Sequence, residues 1–331
     1  MCFLSALSSK QRSDSSSLPL EKMPLPAPPG SQAKPLVLLA DPIFPEFKSA
    51  LSARYRLLPV AEDDASARVL LTVDLPAVTA DLIGALPTLE LVVASSVGVD
   101  HVDRVACRRR GIAVTNAGDA SSADAADYAV GLLIATLRRV AAADAYVRAG
   151  GDYPLGAKVS GKRVGIVGLG NIGSRVARRL AAFGCAVSYH SRSPKPSSPY
   201  SFVPAVRDLA AGSDVLVLSC ALTEKTKHMV NREVLEALGK DGVLINVGRG
   251  GLVDEPELVK CLQEGIIGGA GLDVFEKEPD VPPELLHMDN VVLSHHRAVS
   301  TPESIRRVIQ LVTANLDAFF SGKPLVSPVQ L

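Results

Sequence analysis

Three apolar runs late in the chain end in polar groups: "LINVGRGG" in Arg249, "GLDVFEKEP" in Glu278, and "LSHHRA" in the adjacent His295 and His296. An arginine grips a carboxylate through paired N–H donors and polarises a carbonyl beside it. A histidine gives its proton to an oxygen that is becoming an alkoxide, and a glutamate bonded to the imidazole favours its charged form. Together these groups suit reduction of a carbonyl next to a carboxylate by a hydride donor. Each alone has an ordinary reading: a strand-end cation, one acid among Glu276, Glu278 and Asp280, a loop histidine. Their placement on three successive strand ends is what favours chemistry.

The hydride donor has its own signature. "RVGIVGLGNIGSRVARRL" carries G-x-G-x-x-G at Gly168, Gly170 and Gly173, after an apolar strand and before a helical pattern with Val176, Ala177 and Leu180. That is the context in which the motif binds a dinucleotide: the first glycine turns tightly, the second admits the pyrophosphate, and the third lets helix meet strand. The helix N-terminus then offers free N–H groups to the anion. At the end of the next strand, where an acid would hold the ribose hydroxyls of NAD, the chain reads "SYHSRSPKP", with Ser191 followed by Arg192 and Ser193. Without a carboxylate to repel a phosphate, and with a guanidinium to clamp one, the expected cofactor is NADP.

Positioning these groups requires parallel sheets, and the chain alternates short apolar runs with helical patterns as covered parallel sheets do. Expected strands are "LVLLAD", "VLLTV", "LELVVASS" and "GIAVTN", then "RVGIVGLG", "AVSYHS", "DVLVLSC", "GVLINVG", "GGAGLDVF" and "NVVLSHH". Between the two series, "SSADAADYAVGLLIATLRRVAAADAYVRAG" reads as one long connecting helix. A last helix starts at the Thr301 cap before Pro302 and stops at Gly322. The fold class is α/β: two Rossmann-like, doubly wound parallel-sheet domains, with the cofactor domain inserted in a discontinuous substrate domain. Expected bounds are 35–123 with 298–331 for the substrate domain and 124–297 for the cofactor domain.

Bulk properties exclude other classes. Thirty-five basic and 35 acidic residues give a formal charge of +0, so no broad field favours nucleic acid or an anionic membrane. No apolar run reaches the roughly 18 residues a spanning helix needs. The cysteines, Cys2, Cys107, Cys185, Cys220 and Cys261, form no C-x-x-C pair, which argues for reduced thiols and against a structural zinc. Cys220, ending an apolar strand, reads as inert, and no metal is expected. Residues 1–34, Ser- and Pro-rich, are expected to be a disordered extension. Asp14 and Glu21 argue against a transit peptide, so the expected compartment is the cytoplasm, with a plastid as the alternative.

Through "VGIVGLGNIG", "LTEKTKHMVN", "INVGRG" and "GGAGLDVFEKEP", in that order, nearly everything after residue 35 resembles the D-isomer-specific 2-hydroxyacid dehydrogenases. Within them the chain is similar to the plant glyoxylate, hydroxypyruvate and hydroxyphenylpyruvate reductases. The resemblance implies NADPH-dependent reduction of a small 2-oxo acid, with hydroxypyruvate or glyoxylate as substrate. It implies that Arg249 binds substrate, that Glu278 pairs with the catalytic histidine, and that "ASSVGVDHVD" cradles the substrate carboxylate near Val97 and Gly98. Aligned on Thr301 and Glu303, the catalytic histidine is His296, and His295 stands where the family has proline. Arg297 adds a cation that would disfavour an imidazolium close by.

Residues implied to face NADP are Gly168, Leu169, Gly170, Asn171, Ile172, Gly173, Ser191, Arg192, Ser193, Val247 and Asp273. For Asp273 a strand-end capping role is the alternative. Relatives form homodimers through the connecting helix, here about 123–147. Two rival functions are weighed: a dinucleotide-sensing interaction module, and formate oxidation, whose branch carries an amide in place of Glu278.

Overall fold

The computed structural model describes residues 33–60, 66–150 and 155–331. The expected disordered extension, apart from its last two residues, lies outside these. A first parallel sheet holds β1 (Leu36–Leu39), β2 (Arg56–Pro59), β3 (Val69–Thr72), β4 (Leu91–Ala94) and β5 (Ala113–Thr115), in the order β2-β1-β3-β4-β5. A second runs β12-β11-β10-β9-β6-β7-β8. Its strands are β6 (Arg163–Val167), β7 (Ala186–His190), β8 (Ser201–Phe202), β9 (Val215–Leu218), β10 (Val243–Asn246), β11 (Gly269–Leu272) and β12 (Val291–Leu293). The edge strands β2 and β8 were not expected. "RLLP" has polar ends and a proline, and two residues of "SF" carry no periodicity.

Both faces of each sheet are buried, which is why the strands read as unbroken apolar runs. Along β9, Leu216 and Leu218 enter one core while Val215 and Val217 enter the other, all four without solvent exposure. Full burial of each such side chain contributes about 1.5–3 kcal/mol.

The connecting helix is two helices, which corrects the expectation of one: α4 (Ser122–Leu137) and α5 (Val140–Ala149). Arg139 adopts φ 55° between them. The returning chain explains the break: the Ala157 N–H donates to the Leu137 carbonyl at 2.7 Å, taking an acceptor that a continued helix would use. Arg138 and Arg139 are ordinary helix formers, so nothing local announced it. α4 packs into the core of the second sheet, whereas no residue of α5 is buried.

The final helix, α10 (Pro302–Phe320), starts as expected, the Thr301 hydroxyl accepting from the Ser304 N–H at 3.0 Å. Its Val308, Leu311, Val312 and Leu316 join Val37 and Leu71 in the core of the first sheet, so the chain does return. Near the starts of α4 and α10, Asp124 accepts from the Thr301 hydroxyl at 2.6 Å and pairs with Arg307. One carboxylate thus holds both crossings between the domains.

Candidate active site

Strand register brings the chemistry to one edge. Val167 of β6 pairs with Leu218 of β9, Leu218 with Asn246 of β10, Asn246 with Leu272 of β11, and Leu272 with Leu293 of β12. Past this single row the chain leaves the sheet as the Gly168 turn, the Arg249 loop, the Asp273–Glu278 loop and the His296 loop. Parallel strands dictate that result, since all their carboxyl ends face one way.

At the glycine turn, Gly168 has φ 97°, and a Cβ there would stand 2.7 Å from the Cys220 backbone nitrogen. Behind it begins α6 (Asn171–Ala182), capped by Gly170 with no side-chain bond. The N–H groups of Asn171, Ile172 and Gly173 donate to nothing among the described residues, the first return bond being from Ser174 to the Gly170 carbonyl. A Cβ on Gly170 would meet only open space. Three free donors, open backbone and a positive helix end fit a pyrophosphate. Leu169 is buried beside the turn. After β7, the Ser191 hydroxyl donates to the Ser193 carbonyl at 2.6 Å. Arg192 is exposed and bonds to no described group, free to meet a phosphate. The residues present therefore fit NADP. Val247 is buried in the core, so its side chain faces the packing. Cys220 is half-buried, and burial pushes its thiol up to about 11, consistent with an inert group.

Glu278 and His296 meet: Glu278 Oε2 lies 2.9 Å from His296 Nδ1, while Oε1 accepts from the Phe275 N–H at 3.0 Å. Nε2 bonds to no described group. Glu276, on the same loop, instead bonds His228 at 2.8 Å. His296 has φ 50°, an uncommon backbone state for a residue with a Cβ. Asp273 holds it there. The His296 N–H donates to the Asp273 carbonyl, and the buried carboxylate accepts from the Ser294 hydroxyl and from the Arg297 and Ala298 N–H groups at 2.7–2.9 Å. Three bonds to this loop occupy a side chain that resemblance alone would aim at the cofactor. His295 and Arg297 are both exposed, and the Arg297 side chain bonds to no described group.

Burial pushes the Glu278 carboxyl up, but the bonds from His296 and the Phe275 N–H, with the charges of His296 and His295, outweigh it and hold it below the usual range. With the folded value under the unfolded one, this group's stabilisation is complete above about pH 4.3 and fades as pH falls through the lowered folded value. The melting temperature of the parent should therefore fall faster than that of Glu278→Gln between about pH 5 and pH 3. Parallel acid profiles would count against the linkage.

Arg249 reaches the first sheet. Its Nε donates to both Asp100 oxygens at 3.2 and 3.1 Å, and Nη1 donates to the Gly248 carbonyl at 2.8 Å. Nη2 lies against Gly98, where any Cβ would collide with it and stand 2.7 Å from Asp100 Oδ1. Asn246 shapes the loop, accepting from the Gly248 N–H and donating to the Arg249 carbonyl. Across the gap, Asn116 donates to the Val97 carbonyl at 2.8 Å and the Ser96 hydroxyl to the Gly98 carbonyl at 2.7 Å. The Val97 and Gly98 N–H groups donate to nothing among the described residues. Burial pushes His101 down, against the charge of Asp100, favouring its neutral form. Sequence reasoning missed Asp100 and Asn116; for Asn246, only its turn-forming side chain ahead of "VGRGG" was a signal.

Residues 130–298 match the model for "D-isomer specific 2-hydroxyacid dehydrogenase, NAD binding domain". The chain is 63% identical over 259 residues to glyoxylate/hydroxypyruvate reductase HPR3 of Arabidopsis thaliana, covering 77% of this chain and 80% of that one. It is 54% identical to hydroxyphenylpyruvate reductase of Plectranthus scutellarioides, covering 76% and 81%. Among solved structures, the NADPH-dependent glyoxylate/hydroxypyruvate reductase of Sinorhizobium meliloti in complex with NADP and malonate superposes with TM-score 0.84 at 38% identity, covering 90% and 97%. Two parallel sheets, a glycine turn opening a helix and a His–Glu pair on its edge are thus joined by relatives that span most of both chains, and the chain belongs to the D-isomer specific 2-hydroxyacid dehydrogenase family.

Proposed function

We propose that this protein is an NADPH-dependent reductase of small 2-oxo acids, hydroxypyruvate and glyoxylate foremost, yielding the D-2-hydroxy acid. The observation that carries the reading is the strand row that delivers the glycine turn, Arg249, Glu278 and His296 to one edge. When bound, NADPH supplies a hydride to the carbonyl carbon. His296 protonates the carbonyl oxygen from Nε2 while Glu278 steadies the charged ring through Nδ1. Arg249 Nη2 and the Val97 and Gly98 N–H groups take the substrate carboxylate. Gly168 to Gly173 hold the pyrophosphate, Ser191, Arg192 and Ser193 the ribose phosphate, and the Val247 backbone and Asp273 border the nicotinamide. Asp273 does so chiefly by fixing the His296 loop. The substrate domain is 35–123 with 298–331, and the cofactor domain 124–297.

The test is loss of NADPH absorbance with hydroxypyruvate, glyoxylate and hydroxyphenylpyruvate, repeated with NADH. Turnover of the two small acids with NADPH supports the reading. Preference for hydroxyphenylpyruvate would move the enzyme to the aromatic branch, and binding of NADPH without turnover would sink catalysis.

We further propose a homodimer formed through α5, which has no buried residue and exposes Val140 and Val147, the latter 81% accessible. Val147→Asp should convert the dimer to a monomer in light scattering; an unchanged mass would move the interface elsewhere. No helix among the described residues is long and apolar enough to cross a membrane. The free thiols of Cys107, Cys185, Cys220 and Cys261 support a reducing compartment, which we take as the cytoplasm.

A further inference from the structure

Arg249 is the side chain that must meet the substrate at a fixed angle, yet it is long, rich in rotamers and rooted on the domain opposite the substrate loop. Two of its nitrogens are already committed, Nε to Asp100 and Nη1 to the Gly248 carbonyl. Nη2 donates to no described group and lies against Gly98. The side chains of Arg249 and Asp100 are 19% and 29% accessible and Asp100 as a whole residue is exposed, so the pair stands at the rim of the gap and belongs to neither core. Asp100 belongs to the loop after β4 and Arg249 to the loop after β10, so the bond crosses the gap between the domains.

A carboxylate in a substrate cleft could instead act as a rival anion. That reading fails on geometry. A rival would engage a pair of guanidinium nitrogens in the two-pronged manner a substrate carboxylate prefers. Asp100 meets Nε alone with both of its oxygens and leaves Nη2 open beside the free N–H groups of Val97 and Gly98. His101, its neighbour, is driven towards the neutral form by burial and offers Asp100 no competing charge.

We propose that Asp100 is a positioning residue for the reduction: by holding Nε across the domain gap it aims Nη2 of Arg249 at the substrate carboxylate above Val97 and Gly98. The inference rests on the functional reading above. It adds that the arginine is aimed by the opposite domain, so its productive orientation exists only when the domains are together.

The experiment is a double-mutant cycle on the NADPH-loaded full chain: parent, Asp100→Asn, Arg249→Gln and the double variant, with Asp100→Glu as the conservative rescue. Asp100→Asn is expected to lower kcat/KM for hydroxypyruvate about tenfold or more, mostly through KM, as the loss of an oriented charge-assisted contact does. The NADPH dissociation constant and the melting temperature should stay at parent values. Asp100→Glu should recover part of the loss, and in the Arg249→Gln background Asp100→Asn should cost nothing further. Equal losses on both backgrounds, parent-like kinetics for Asp100→Asn, or a loss that tracks NADPH affinity or melting temperature would each overturn the proposal. If the parent reduces no 2-oxo acid, the functional reading fails by itself. The same proteins titrated with oxalate, followed by the fluorescence of bound NADPH, then decide Asp100 by the same coupling: a loss of oxalate affinity confined to the Arg249 background supports it, and its absence refutes it.

Discussion

Replacing His296 with alanine lowers kcat for hydroxypyruvate by about two to four orders of magnitude, the range that a positioned general acid contributes. His295→Ala stays within about threefold of the parent, as expected for an exposed side chain outside the reaction. The asymmetry follows from the loop. His296 alone has Nδ1 on Glu278, at 2.9 Å, which leaves Nε2 as the proton carrier. Without the imidazole, water must protonate the nascent alkoxide, and NADPH affinity should barely change because the glycine turn stands on a different loop. Single-turnover rates and NADPH titrations of both variants check this. Equal losses at the two histidines, or a loss at His295 alone, would assign the acid wrongly.

The second large effect concerns the cofactor. Arg192→Ala raises KM for NADPH by about 10- to 100-fold and leaves NADH nearly unchanged, because a hydrogen bond between charged partners is worth about 1.5–3 kcal/mol. Adding Ser191→Asp supplies the acid that holds ribose hydroxyls and repels a phosphate, so the double variant favours NADH. The exposed Arg192, bonded to no described group, gives up no structural contact in the process. Its melting temperature should match the parent. If NADPH and NADH weaken together, Arg192 acts on the shared half of the dinucleotide or on the fold.

Local signals were enough for most of the framework. The ten apolar runs became strands because buried parallel strands need no alternation; the strand-end placement brought a glutamate and a histidine into view, and the family resemblance alone chose His296 over His295 as the partner of Glu278. The unreadable parts depend on groups brought together from afar. Asp100 lies 149 positions from Arg249, and only the docking of two sheets joins them. The break at Arg139 depends on the later Ala157 N–H. Asp273 sits in an apolar strand end where nothing tells whether a carboxylate turns to a ligand or, as here, to the N–H groups of the next loop.

The hold of Asp124 on Thr301 and Arg307 bears on how the two halves move. With Asp124 on the outgoing chain and Thr301 and Arg307 on the returning one, the two crossings stay side by side for as long as these bonds hold. The halves cannot slide past one another at that point, whereas rotation about it leaves the bonds intact.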